Sequence, residues 1–152
     1  MKALAALLLC LALALPAAAH ARGHHYKART RHLLRLARAR QRAAVLAWHF
    51  VGVPYVWGGE SPRGFDCSGL VTFVMRRVGI NAPHWTGWQI RLGVPVARKA
   101  LRVGDVVFFH GGSHEGLVLD RRHYIEAPHT GANVRIRPIT RGTDFYAIRR
   151  FR

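Results

Sequence analysis

The chain has 152 residues, with 24 lysines and arginines against seven acids and a formal net charge of +17. That length suits one domain with one core and excludes a second. The charge excess says nothing about fold, but it predicts attraction to polyanions.

Residues 1–21 (MKALAALLLCLALALPAAAHA) begin with Lys2, run through a Leu/Ala segment, break at Pro16 and end in small residues. This is the anatomy of a secretory signal peptide, too short and wrongly flanked for a stable membrane span. Cleavage after Ala19 or Ala21 is expected, leaving about 130 residues. Leu9 stands before Cys10, where a lipoprotein acceptor cysteine needs a small residue, so a lipid anchor is not expected. The mature protein is expected to be secreted, into a periplasm, carrying Cys67 as its lone cysteine. A lone thiol in an oxidising compartment has no intramolecular disulfide to make, which argues for a chemical role. The polyanions available there are the cell wall with its stem-peptide carboxylates, anionic lipid headgroups and extracellular nucleic acid.

Residues 22–42 hold eight Lys/Arg and no acid. Their first part, to about Thr30, lacks the apolar content to bury itself and reads as a disordered basic tail. From about Arg31 the pattern turns helical, with Leu33, Leu36, Ala37, Ala44, Leu46 and Ala47 recurring near a 3.6-residue period and a stop near Gly52. The expected organisation is a signal peptide at 1–21, a basic tail and helix start at 22–38, and a catalytic domain at 39–152.

The stretch Gly52–Gly69 (GVPYVWGGESPRGFDCSG) is rich in Gly and Pro and reads as a shaped loop. It delivers Cys67 to the start of the apolar run Leu70, Val71, Phe73, Val74 and Met75, read as a helix from Cys67 to about Val78. At a first helical turn, unpaired N–H groups and the positive end of the macrodipole favour a thiolate. A small buried hydrophobe is the alternative role for this cysteine.

In 81–93 (NAPHWTGWQIRLG), Trp88 and Ile90 begin a short helical turn, and His84 with the two tryptophans fits either a substrate cleft or satellite packing. Strands are expected at Val106–Phe109, Glu115–Leu119, Tyr124–Ala127, Val134–Ile139 and Phe145–Arg150. Helices first and a run of antiparallel strands afterwards predict an α+β domain. A nucleophile at a helix N-terminus and a histidine on a later strand is the order a cysteine peptidase needs. Among His84, His110, His114, His123 and His129, His114 is favoured: it follows flexible glycines, opens a strand and precedes the small Gly116.

The blocks GVPYVWGGESPRGFDCSGLVTFV, LRVGDVVFFHGGSHEGLVLD and YIEAPHTGANVRI resemble the signature segments of the NlpC-type cell-wall cysteine peptidases, a papain-like family. The resemblance covers roughly residues 40–140. It implies a papain-like domain, with N-terminal helices packed on an antiparallel sheet, that hydrolyses peptidoglycan stem peptides, typically between D-glutamate and a diamino acid. Position by position it implies Cys67 as nucleophile, His114 as general base, Tyr55 as a residue lining the catalytic site, and Asp66 and Ser68 as residues shaping substrate contacts. The chain departs in the third block, where Glu126 stands in place of a polar residue, often a second histidine. A carboxylate can orient an imidazole as an aspartate does in serine proteases. A two-residue turn at Arg121-Arg122 would instead put His129 opposite His114, and a longer loop would change that register. Glu126 is preferred and His129 remains the alternative.

Two other classes compete. A metallohydrolase using His110 and His114 has little support, because the pair straddles a Gly-Gly turn and no HExxH occurs. A basic, non-catalytic module binding wall polymer or nucleic acid is consistent with the charge, yet no groove-reading motif is present. The expectation is therefore a monomeric peptidoglycan endopeptidase with no metal or organic cofactor. Its basic N-terminal segment is expected to meet an anionic wall or membrane surface, and no specific nucleic acid.

Overall fold

A computed structural model describes residues 17–152, with side chains from Tyr26 onward. The signal-peptide expectation falls outside the described residues as far as Pro16, and with it Cys10. Contacts divide the chain after Arg35. Among the described residues before that point there is only helix: α1 runs Ala17–Trp48, and its residues 26–35 are exposed. The stretch 22–30, expected as a disordered tail, is thus helical. Alanine, arginine and lysine are strong helix formers, and a single glycine, Gly23, interrupts them. Leu33, expected on the buried face, is 46% exposed. No helix among the described residues is long and apolar enough to cross a membrane.

From Leu36 onward the chain forms one compact unit. The last three turns of α1 bury Ala39, Ala43, Ala44 and Ala47. Small side chains at i, i+4 and i+8 let the helix axis approach its neighbours closely. A two-stranded hairpin follows, β1 (Glu60–Ser61) and β2 (Gly64–Phe65), and leads into α2 (Cys67–Arg77). Asp66 caps α2, accepting the Gly69 N–H at 2.6 Å. This satisfies one of the orphan donors of the first turn. The helix buries Leu70, Val71, Val74 and Met75, and it stops before Gly79, whose φ of 82° ends the turn.

After the short α3 (Thr86–Gln89) come β3 (Val94–Pro95), β4 (Val106–Phe109), β5 (His114–Val118), β6 (His123–Glu126), β7 (Arg135–Pro138) and β8 (Ala147–Arg150). They form one antiparallel sheet in the order β3-β8-β4-β5-β6-β7. Its helix-facing side puts Val106, Phe108, Leu117 and Ile125 in one core with α2 and the end of α1. Its other side carries a second cluster of Val107, Phe109, Val118, Tyr124 and Ile148, covered by Val96, Leu101, Ile139 and Phe145. Burial on both faces explains why β4 reads as an unbroken apolar run, Val-Val-Phe-Phe, instead of alternating. The expected α+β architecture is the observed one.

The connection between β5 and β6 fixes the register of the two strands. The Leu119 N–H bonds the His123 carbonyl at 2.9 Å, which leaves a three-residue loop, Asp120–Arg122, and not a two-residue turn. The Asp120 carboxylate accepts the Arg122 N–H at 2.6 Å and stabilises that loop. Leu117 then faces Ile125 and Val118 faces Tyr124.

Candidate active site

The capping carboxylate of α2 organises the loop around Cys67. Besides the Gly69 N–H, Asp66 Oδ1 accepts the Ser68 hydroxyl at 3.1 Å and lies 2.9 Å from His84 Nε2; Oδ2 accepts the Gly58 N–H at 2.9 Å. His84 Nδ1 in turn lies 3.0 Å from Glu60, whose other oxygen holds Arg76 at 2.6 Å. Asp66 therefore spends most of its acceptor capacity on its own loop. Gly69 makes this packing possible, since a Cβ there would lie 1.9 Å from the Gly59 carbonyl oxygen.

Cys67, Tyr55, Asp66, Ser68 and His84 all line one cleft of about 690 Å³, closed by Trp57, Trp85 and the loop Gly111–Ser113. Trp88 does not line it; its ring meets Trp85 edge-on, with centroids 5.7 Å apart. Of the two tryptophans in that segment, one lines the cleft and the other stands exposed beside it. Gln89 is fully buried, and its amide nitrogen reaches the Ser68 carbonyl at 3.1 Å, Thr72 Oγ1 at 3.0 Å and the Pro83 carbonyl at 2.8 Å. It pins α3, and with it the His84–Trp85 wall, to α2. A glutamine inside a short loop carried no sequence signal for this role. Trp57 lies within the signature loop, and only its 86% exposure at the cleft marks it out.

Burial raises the Cys67 thiol to about 12, with the charges of Glu115 and Asp66 adding to the effect and the backbone N–H groups of Ser68 and Glu115 working against it. The N–H stabilisation of the thiolate expected at a helix start is therefore present, but desolvation outweighs it. The free chain thus holds a neutral thiol. Tyr55 is likewise held protonated, by burial and by the neighbouring Cys67 and Asp66.

His114 opens β5, a strand packed against α2, but it does not line the Cys67 cleft and no hydrogen bond joins it to Cys67 among the described residues. Its Nε2 lies 2.8 Å from Glu126 Oε2, and its Nδ1 makes no hydrogen bond among the described residues. The three-residue loop accounts for this pairing. Extending the β5–β6 register sets Glu126 opposite Gly116, so His114 is its diagonal neighbour on the same face. Gly116 suits that position, because a Cβ there would meet the Tyr124 ring at 2.7 Å. His129 is exposed and bonds the Thr130 carbonyl through Nδ1, so it is not brought to His114. Glu126 is 5% exposed, and its second oxygen accepts Arg135 Nε at 2.9 Å. Burial opposes its charge, yet the hydrogen bonds from His114 and Arg135 leave its acidity stronger than an ordinary glutamate's. Arg135 was not foreseen; β7 supplies it through the pairing Glu126↔Arg135. An ionised carboxylate only accepts, so Nε2 must donate to it, which leaves Nδ1 of the neutral ring as an acceptor.

Comparison with known proteins places the chain in a family. Residues 52–148 match the model of the NlpC/P60 family. The chain belongs to that family. Among curated NlpC/P60 relatives it is 37% identical over 115 residues to a peptidoglycan endopeptidase, RipA, of Mycobacterium tuberculosis, covering 65% of this chain and 24% of that protein. It is 38% identical over 95 residues to the murein DD-endopeptidase MepH of Escherichia coli, covering 57% of this chain and 35% of that one. Such relatives are thus several times longer than the matched segment. Among solved structures, an NlpC/P60 protein from Bacillus cereus superposes with a TM-score of 0.68 at 33% identity, covering 74% of this chain and 40% of that one. The NlpC/P60 domain of the peptidoglycan hydrolase SagA superposes at 0.64 with 32% identity, covering 72% of this chain and 97% of that one.

Proposed function

We propose that this domain hydrolyses an amide bond of peptidoglycan stem peptides through Cys67 and His114, oriented by Glu126. The observation that supports this reading is the His114–Glu126 hydrogen bond, which leaves Nδ1 as an acceptor at the end of a strand packed against α2; no hydrogen bond joins His114 to Cys67 among the described residues, so the proton transfer requires the ring to close on the thiol. Because the resting thiol is neutral, His114 Nδ1 takes the thiol proton as Sγ attacks the carbonyl carbon. Backbone N–H groups at the first turn of α2 and the protonated Tyr55 hydroxyl supply donors for the resulting oxyanion. His114 then gives its proton to the leaving amine as the C–N bond breaks. Water, deprotonated by the same imidazole, hydrolyses the thioester and restores the thiol. The reaction so written needs no cofactor.

Tyr55, Ser68, His84 and Trp85 line the cleft and are the residues proposed to meet the substrate, while Asp66 serves mainly to shape the loop. The bond proposed is that between D-glutamate and the diamino acid. One relative is named a DD-endopeptidase, so product analysis must decide the bond. Action on the wall fits export to the periplasm by the N-terminal segment. Digestion of purified peptidoglycan by the chain and by its Cys67→Ala variant, followed by mass spectrometry, tests the reading. New peptide ends from the wild type alone support it and name the bond; no new ends from either, with wall binding intact, would replace it with a non-catalytic binding module.

A further inference from the structure

Glu115 follows the proposed base, and its side chain points to the opposite face of β5, into the core side of the sheet. It is 0% exposed, and neither carboxylate oxygen has a hydrogen-bond partner among the described residues. Phe108 stands opposite it on β4, and Leu117 is the next residue on its face of β5. From α2 the titratable groups that face it are Cys67 and the capping Asp66, and no cation is among the charges acting on it. A carboxylate in such a place lacks water, donors and counter-charge, each of which an ion needs. No role in the chemistry above uses this residue.

We propose that Glu115 is a positioning residue that sets the upper pH limit of Cys67 reactivity: protonated, it lets the thiolate form beside it, and ionised, it suppresses that thiolate. The inference rests on Cys67 being the nucleophile. Its physical basis is that two anions cannot readily share one dry pocket. When the proton leaves Glu115 for solvent, the pair holds one negative charge, and forming a second on Sγ is opposed. At lower pH the carboxyl keeps its proton, and His114 can remove the thiol proton without meeting an anion behind it. Burial pushes the Glu115 carboxyl well above the usual carboxylate range, with Asp66 adding to it.

Alkylation of Cys67 by iodoacetamide in the intact chain tests this, because it reads the thiolate alone and needs no peptidoglycan. In the wild type the rate is expected to rise with pH and then level off as Glu115 ionises. In Glu115→Gln and Glu115→Met, which carry no ionisable group, it continues to rise about tenfold per pH unit. One unit above the wild-type break the variants react about 10-fold faster, and below the break all three agree. The methionine variant guards against a glutamine that disturbs the fold, and circular dichroism at each pH confirms which chains are folded. Equal slopes for all three chains throughout the pH range in which they stay folded would overturn the proposal, as would slower alkylation of both variants at every pH. The alkaline limb of peptidoglycan digestion should extend in the same variants. If digestion fails in every chain while alkylation diverges as described, the hydrolase reading falls and the role of Glu115 stands.

Discussion

Glu126 lies one diagonal step across the β5–β6 ladder from His114 and accepts its Nε2 at 2.8 Å, while its other oxygen holds Arg135. The imidazole is thereby fixed in one tautomer and one orientation, and the carboxylate itself is anchored from behind. Replacing Glu126 with Ala is expected to lower kcat on a stem-peptide substrate by about 10²-fold or more, with little change in KM. Glu126→Asp, one methylene shorter, should recover part of the loss. A variant that kept full kcat would remove Glu126 from the mechanism.

The two buried glutamates should leave opposite marks on stability. Glu126 is a stronger acid in the folded chain than in the unfolded one, so its contribution is present above the ordinary carboxylate range and disappears as pH falls through its folded value. Glu115 is a weaker acid when folded, so its protonated form is fully tolerated at low pH and stability declines as pH rises from about 4.5 towards its folded value, by up to about 1.4 kcal/mol per unit. Thermal melts across pH 3–9 should therefore show Glu115→Met flattening the alkaline decline and Glu126→Gln flattening part of the acid one.

Gly69 offers a purely steric test. With a Cβ placed 1.9 Å from the Gly59 carbonyl oxygen, Gly69→Ala must push the β1 side of the cleft away from α2. A loss of about 1–3 kcal/mol is expected, together with weakened activity, since the same shift moves the Asp66 cap and Cys67. Chemical denaturation gives the first quantity and digestion the second. An unchanged midpoint would mean the loop yields freely.

Wall binding should depend on salt. The +17 chain meets a polyanion whose attraction is screened over about 8 Å at physiological ionic strength. Pull-down on insoluble peptidoglycan is expected to weaken progressively between about 50 mM and 500 mM salt, with a shallower dependence in a chain lacking residues 22–35. Salt-independent retention would show that the charge plays no part.

Much of this was legible in the residues themselves. Cys67 at a helix start and the strands β4 to β8 follow from local signals: a Gly- and Pro-rich loop, apolar runs and glycine-bounded turns. The two-residue strands β1, β2 and β3 left no periodicity to read. The acidity of Cys67 differs from expectation because the helix terminus is a local feature, whereas burial and the Glu115 charge come from a strand 48 positions away, counted from residue 67 to 115. Arg135 escaped notice for the same kind of reason: only the β6–β7 register brings it to Glu126. Choosing between Glu126 and His129 required one number that composition cannot supply, the length of the Asp120–Arg122 loop.

That loop has the surface position and polar sequence at which insertions and deletions are usually harmless. Here it measures out chain. A one-residue slip of β6 against β5, which a two-residue turn at Arg121-Arg122 would impose, would exchange the two faces of β6, sending Glu126 towards the helices and Ile125 towards His114. The register that this turn sets, more than the identity of its residues, is therefore what a working copy of this domain has to preserve.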